Sequence, residues 1–424
     1  MWTSNKFIRL EMNPNEMIVK AVLKVGSTIR SELINEKVEM YLMSEGRTKN
    51  RYFEEDFHGT ELEDDIEYLK IDTENVESKV DPVMKILQYK LRERDFEESL
   101  EELFSDEDSD EGEEKFIHAT ALPSAMFSNL WNSLVFEDGM KEGLLNRILV
   151  TTILQKKNVD PDLCGANNII LFHGPPGTGK TSLCKSLAQT ATNHMIDMNI
   201  YKEGVLFEVN ANSIFSKWFG ETGKNVQMMF NQIKMEMADP RKMVFVILDE
   251  CESLTSARRE HVQNSDSIVA VNTLLTEIDR IKNEKNVLVL TTTNITGLVD
   301  MAFLSRVDIK MEVGLPTPLA INGIYISALT ELQMKGVIKN INFEKNKNGK
   351  GNPSDLQILR KLSDLSLGFS GRTLRKIPLI SLGYADISDV DQGLDGADFF
   401  VFMERAIRNE KLEVERISDS SNTS

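Results

Sequence analysis

The run His173-Gly174-Pro175-Pro176-Gly177-Thr178-Gly179-Lys180-Thr181 has the residue types and spacing to hold a phosphate chain: Gly, four residues, then Gly-Lys-Thr. Glycines let backbone N–H groups turn inward onto phosphate oxygens. A helix that starts there adds a partial positive charge. Lys180 is expected to reach the β- and γ-phosphates, and Thr181 to offer its hydroxyl to Mg²⁺. Gly174, Pro175, Pro176, Gly177, Thr178, Gly179, Lys180, Thr181 and Ser182 are the candidate contacts to ATP or ADP.

Two carboxylates complete the basic chemistry. The apolar run Met243-Val244-Phe245-Val246-Ile247-Leu248 ends in Asp249-Glu250, about seventy residues past the phosphate loop. Asp249 is expected to hold Mg²⁺ through water, and Glu250 to orient and polarise an attacking water. Thr291-Thr292-Thr293 leads to Asn294. Asn294 is expected beside Glu250 in the sheet, hydrogen-bonding the γ-phosphate or the water. Arg306 is either a surface charge or a finger that stabilises charge developing on a transferred phosphoryl group. Arg372 follows Gly368-Phe369-Ser370-Gly371, with Ser370 as a helix N-cap. A cation in the first turn opposes the helix dipole, so its placement is easier to explain beside an anion.

These residues need a frame. Ile169–Phe172 reads as a strand and Ser182–Ala191 as a helix, so the loop sits at a strand-to-helix junction. Asn168–Phe172, Leu206–Val209, Val244–Leu248 and Val287–Thr292 are apolar and β-branched, as in a parallel sheet covered on both faces. Chemistry is then expected at the C-terminal strand ends. The chain divides into a small α/β unit over 1–95, an acidic linker over 96–118, a large α/β unit over 119–314 and a helical unit over 315–424. In the first unit, Ile18–Val25 and Tyr68–Ile71 read as strands. Ser27–Met43 and Pro82–Leu91 read as helices. Ser354 with Gln357 forms a capping-box pattern, and Ser418–Ser424 reads as an irregular tail.

Composition narrows the class. The chain has 424 residues, 41% of them hydrophobic, and a formal net charge of -18. That balance argues against a duplex nucleic acid as main partner, because phosphate neutralisation needs clustered Lys and Arg. Twelve acids and no base lie between Asp95 and Glu114, as in a solvated, self-repelling spacer. Cys164, Cys184 and Cys251 are scattered and point to a reducing compartment without a disulfide framework. Cys184 and Cys251 lie in apolar segments and are expected to be buried. The five histidines show no metal-ligand spacing. No apolar run approaches a membrane span, so a soluble cytosolic or nuclear protein is expected.

Taken together, phosphate loop, acidic pair, polar residue on the next strand, arginine and helical lid resemble the AAA+ ATPases over about residues 120–410. Ser216-Lys217-Trp218-Phe219-Gly220-Glu221-Thr222-Gly223-Lys224 and Asp249-Glu250-Cys251-Glu252-Ser253-Leu254-Thr255 look like the pachytene-checkpoint group, also named thyroid-receptor-interacting protein thirteen. Ser370-Gly371-Arg372-Thr373-Leu374-Arg375-Lys376 and Leu130-Trp131-Asn132-Ser133-Leu134 are similar to it too. The resemblance implies a doubly wound AAA+ domain with a C-terminal helical lid and a small N-terminal α/β domain. It implies a homo-hexamer that partly unfolds HORMA-domain proteins of the spindle checkpoint and meiotic chromosome axis, with a HORMA-type adaptor. Nucleus and cytoplasm follow as locations, with chromosomes or kinetochores. It makes Glu250, Asn294, Arg306 and Arg372 the catalytic set, and 1–95 the part that recognises substrate or adaptor. Lys217, Trp218, Phe219 and Gly220 become a pore loop that grips substrate; a large aromatic suits that task because it offers much apolar area to any peptide. The chain has one Arg around Arg306 where many AAA+ relatives have two, which leaves open whether a second finger exists, with Arg258 or Arg259 as candidates. Two other readings fit the same motifs: a generic AAA+ unfoldase or severing ATPase, and an ATP-gated scaffold that does not thread its partner.

Overall fold

The computed structural model describes residues 16–23, 31–44, 51–53, 57, 60–63, 65–72, 83–90, 117–136, 139–160, 168–211, 222–254, 265–295, 300–343 and 353–421. The acidic run, Cys164, Arg258, Arg259 and the Lys217–Gly220 loop lie outside them.

The first unit is a four-stranded sheet in the order β2 (Arg51–Phe53), β3 (Ile66–Asp72), β1 (Glu16–Leu23), β4 (Val83–Lys90), with α1 (Ser31–Ser44). Val19, Ala21, Ile34, Val38, Leu42, Phe57 and Leu69 form its core. The helix expected over Pro82–Leu91 is instead β4, paired in parallel with β1 from Glu16↔Val83 to Leu23↔Lys90. An apolar run this short fits either period, and pairing with β1 decides it.

The large unit is a six-stranded sheet in the order β10 (Ile309–Glu312), β6 (Ile169–His173), β9 (Val287–Thr293), β8 (Lys242–Asp249), β7 (Glu203–Asn210), β5 (Ile117–Leu122). Five strands run parallel, and β5 closes the edge antiparallel to β7 from Ile117↔Val209 to Leu122↔Gly204. Strands β5 and β10 were not foreseen; β5 begins at Ile117, within the segment read as linker. The sheet is covered on both faces, which explains the unbroken apolar strands. Along β8, Val244, Val246 and Leu248 pack with α5 (Thr222–Met237) and α6 (Ser265–Ile281) through Phe230, Ile233, Leu274 and Ile278. Met243, Phe245 and Ile247 face the other side, with α3 (Met140–Lys156) and α4 (Lys180–Asp197) through Leu144, Ile148, Leu183 and Leu187. Removing one such side chain, as in Phe245→Ala, costs about 3–5 kcal/mol.

The third unit is the helical lid: α8 (Pro318–Met334), α9 (Pro353–Leu365), α10 (Gly371–Leu382), α11 (Ile387–Gln392) and α12 (Gly396–Ser421). The large unit also carries the short α2 (Leu130–Ser133), after β5, and α7 (Met301–Leu304), between β9 and β10. Tyr325, Leu359, Leu374, Phe399 and Met403 form the lid core. Helix α9 starts at Pro353, so Ser354 is inside its first turn and not the cap; proline is favoured at a first helical position because its missing N–H has no partner there anyway. The irregular tail expected over Ser418–Ser424 is overturned as far as Ser421, where α12 ends; residues 422–424 lie outside the described residues.

Candidate functional site

The phosphate-loop sequence joins β6 to α4 as the spacing requires. Gly174, Gly177 and Gly179 have φ of +147°, +74° and +94°. A Cβ on Gly174 would run into the Val313 carbonyl, and one on Gly177 would come within 2.8 Å of the Ser370 hydroxyl. Glycine is therefore required for conformation and for close approach. The Lys180 ammonium bridges back to the carbonyls of Gly174 (2.9 Å) and Pro175 (2.8 Å). Burial pulls its pKa below the ordinary lysine value, against the charges of Glu252 and Asp249.

Thr181 Oγ1 donates to Asp249, 2.9 Å from Oδ1 and 3.1 Å from Oδ2. The hydroxyl and carboxylate read separately from the sequence thus form one oxygen-rich corner. This donor set suits a hard cation. Thr292 adds a hydroxyl bonded to the same carboxylate.

After Asp249 the chain turns sharply: Glu250 has φ +60°, uncommon for a residue with a side chain. Burial raises the Glu250 pKa first, with Asp249 and Glu252 adding to it and a side-chain hydrogen bond from Asn210 opposing it. Asn294, expected beside Glu250, donates its amide to Glu252 Oε1 at 3.1 Å and its backbone N–H to both carboxylate oxygens at 3.3 Å.

Arg372 is on the first turn of α10, capped by Ser370 as expected. Its backbone N–H donates to the Gly177 carbonyl at 3.0 Å, which ties lid to loop. Between them lies a cleft of ≈ 700 Å³. Gly177, Thr178, Gly179 and Ser182 line it together with Arg372, Arg375 and Lys376, and Val135, Phe136, Met140 and Ile324 contribute apolar lining. Arg372 with the loop backbone suits a phosphate chain, and the apolar lining suits a flat base. Arg306 is elsewhere: it is held by Asp279 near the C-terminal end of α6 and does not line this cleft. Among the described residues no group of three or more His, Cys, Asp or Glu side chains is arranged to hold a metal, and no helix is long and apolar enough to cross a membrane.

Comparison with known proteins decides the family. A family profile described as "ATPase family associated with various cellular activities (AAA)" matches residues 170–315, and one described as "TRIP13-like, AAA+ ATPase lid C-terminal domain" matches 317–411. The chain is 44% identical over 295 residues to the pachytene checkpoint protein 2 homolog of Mus musculus, covering 65% of this chain and 67% of that one. It is 40% identical over 304 residues to the homolog of Danio rerio, covering 69% and 70%. The chain belongs to the pachytene checkpoint protein 2 family. The solved structure of C. elegans PCH-2 superposes with a TM-score of 0.72 at 28% identity, covering 94% of this chain and all of that one.

This pachytene checkpoint protein 2 relative is therefore an AAA ATPase with a nucleotide-binding site. Its sequence hid several residues around the acidic pair and the cleft. Asn210 ends β7 opposite Asp249 in the register, a polar strand end beside the acidic pair. Glu252 reads as one more acid in a turn. The apolar wall formed by Val135, Phe136, Met140 and Ile324 has no motif, because the lid and the large unit each supply part of it.

Proposed function

We propose that this protein is an ATP-driven remodeller that acts as a homo-hexamer on HORMA-domain proteins of the spindle checkpoint and meiotic chromosome axis, in nucleus and cytoplasm. The observation that carries the ATP chemistry is the bond from Thr181 Oγ1, at the end of the phosphate loop, to Asp249 at 2.9 Å. Family membership supports the choice of partner.

The loop amides and Lys180 hold the phosphate chain, and Arg372 faces it from the lid. Thr181 and Asp249 hold Mg²⁺. When bound, Mg²⁺ neutralises charge on the phosphates. Glu250 accepts a proton from the attacking water on its carboxylate. Asn294 fixes the neighbourhood of that water. Arg306 serves the site of the adjacent subunit, and residues 1–95 recruit substrate or a HORMA-type adaptor. The Trp218 loop grips an extended segment, so hydrolysis is converted into pulling.

Trp218→Ala tests threading. The expected result is an intact hexamer with basal ATP turnover preserved and conversion of a purified HORMA-domain protein lost. Conversion at the wild-type rate in this variant rules out the pore loop and favours an ATP-gated scaffold.

A further inference from the structure

Leu134–Phe136 form a strap between α2 and the rest of the large unit, and the strap is gripped from both sides. On the large-unit side, Lys141 Nζ donates to the carbonyls of Trp131 and Leu134 at 2.8 Å each, with its ammonium 4.9 Å from the centre of the Trp131 ring. On the lid side, Arg375 Nη2 donates to the Ser133 carbonyl at 2.6 Å. The side chains repeat the division. Leu134 is buried in the core of the large unit and Phe136 packs against it, while Val135 packs against the lid core.

Two glycines make room for this. A Cβ on Gly323 of the lid would stand 2.9 Å from Val135 Cγ1. A Cβ on Gly179 of the phosphate loop would stand 3.6 Å from Leu134 and 3.7 Å from Phe136. The strap therefore touches the loop, the lid and the large core. Leu134, Val135, Phe136 and Arg375 also line the cleft.

We propose that the strap is a nucleotide-responsive clasp between lid and large unit, with Arg375 as its positioning residue. This rests on the reading of the cleft as the nucleotide site. The Arg375–Ser133 bond is exposed in the open cleft, where an exchange with water leaves it little net strength. A base seated against Val135 and Phe136 removes water from one side, which strengthens a charged hydrogen bond. Coupling is reciprocal: if the nucleotide tightens the clasp, the clasp tightens the nucleotide by the same factor. Arg372 differs from Arg375 in that it meets the loop through Gly177, whereas Arg375 acts through the strap.

The test uses the full chain with ADP. Calorimetry gives affinity, and hydrogen exchange over residues 130–136 reports the clasp. Wild type is expected to gain protection there on adding ADP. Arg375→Ala is expected to lose that gain and bind ADP about tenfold more weakly, as for one charged hydrogen bond. Arg375→Lys retains a donor for the Ser133 carbonyl and is expected to restore most of both. Gly323→Ala, which pushes Val135 out of its notch, is expected to reproduce the loss with Arg375 intact. Wild-type affinity and strap protection in Arg375→Ala, or equal defects in the Ala and Lys variants, overturn the clasp. A wild-type chain that does not bind ADP overturns the nucleotide-site reading, and the clasp with it.

Discussion

Arg306 is bound to Asp279 of the same chain, its Nε 2.9 Å and its Nη2 2.8 Å from Asp279 Oδ2. Asp279 belongs to α6, which also carries the buried Glu277 bonded to Lys234 of α5. The candidate finger is thus fixed to the helix pair that follows the Trp218 loop. Arg306→Ala is expected to keep ATP affinity and lower turnover on the order of a thousandfold. Mixing it with Lys180→Ala subunits should restore some turnover, because an intact Lys180 pocket then meets an intact Arg306 neighbour. No recovery across a mixing series, with assembly verified by light scattering, removes the shared site.

The same ion pair has a pH signature. Burial pushes the Asp279 carboxyl up, but the hydrogen bonds and charges of Arg306 and Lys282 outweigh it and hold the pKa below the ordinary value. The unfolded value is about 3.9. A depressed folded value means the stabilisation is complete above about pH 3.9 and is lost as pH falls through the lower folded value. The difference in melting temperature between wild type and Asp279→Asn is therefore expected to be constant from neutral to mildly acid pH. It should shrink only below about pH 4. A difference that already disappears at pH 6 contradicts this pairing.

Lys180→Ala should lose nucleotide affinity on the order of a hundredfold, since it removes charged hydrogen bonds to the phosphates. Calorimetry with ADP and a non-hydrolysable ATP analogue measures it. Near-normal affinity rejects the phosphate-loop assignment.

Glu250→Gln keeps the shape of the side chain but cannot take up a proton. It is expected to bind ATP as wild type does and hydrolyse it roughly a thousandfold more slowly. Unchanged phosphate release would assign the base to another carboxylate, with Glu252, two residues on, the candidate not assigned to Mg²⁺.

Gly174→Ala tests the frame and not the chemistry. Its Cβ meets the Val313 carbonyl, on the chain that leaves β10 towards the lid, and its φ of +147° disfavours any side chain. A loss of about 3 kcal/mol in denaturant unfolding is expected. A stability within 0.5 kcal/mol of wild type, a typical surface-substitution effect of about that size, would show that the loop and Val313 separate freely.

The sequence by itself determined the chemistry at strand ends. Gly174 to Thr181 form one contiguous run and Asp249-Glu250 another, and backbone geometry alone converts each run into a loop and a strand terminus. Apolar runs such as Met243–Leu248 marked a doubly covered sheet, because both of their faces are buried. Tertiary structure decided everything that depends on two distant segments meeting. The β1 partner made a strand of Val83–Lys90. The approach of Asn294, at the end of β9, to the turn after β8 bonded it to Glu252. Residues 134–136, 177–179, 320, 324, 371, 372, 375 and 376 became one cleft only when the lid packed over the loop. Local spacing carries no signal for such contacts, since their free energy comes from burying surfaces that lie far apart along the chain.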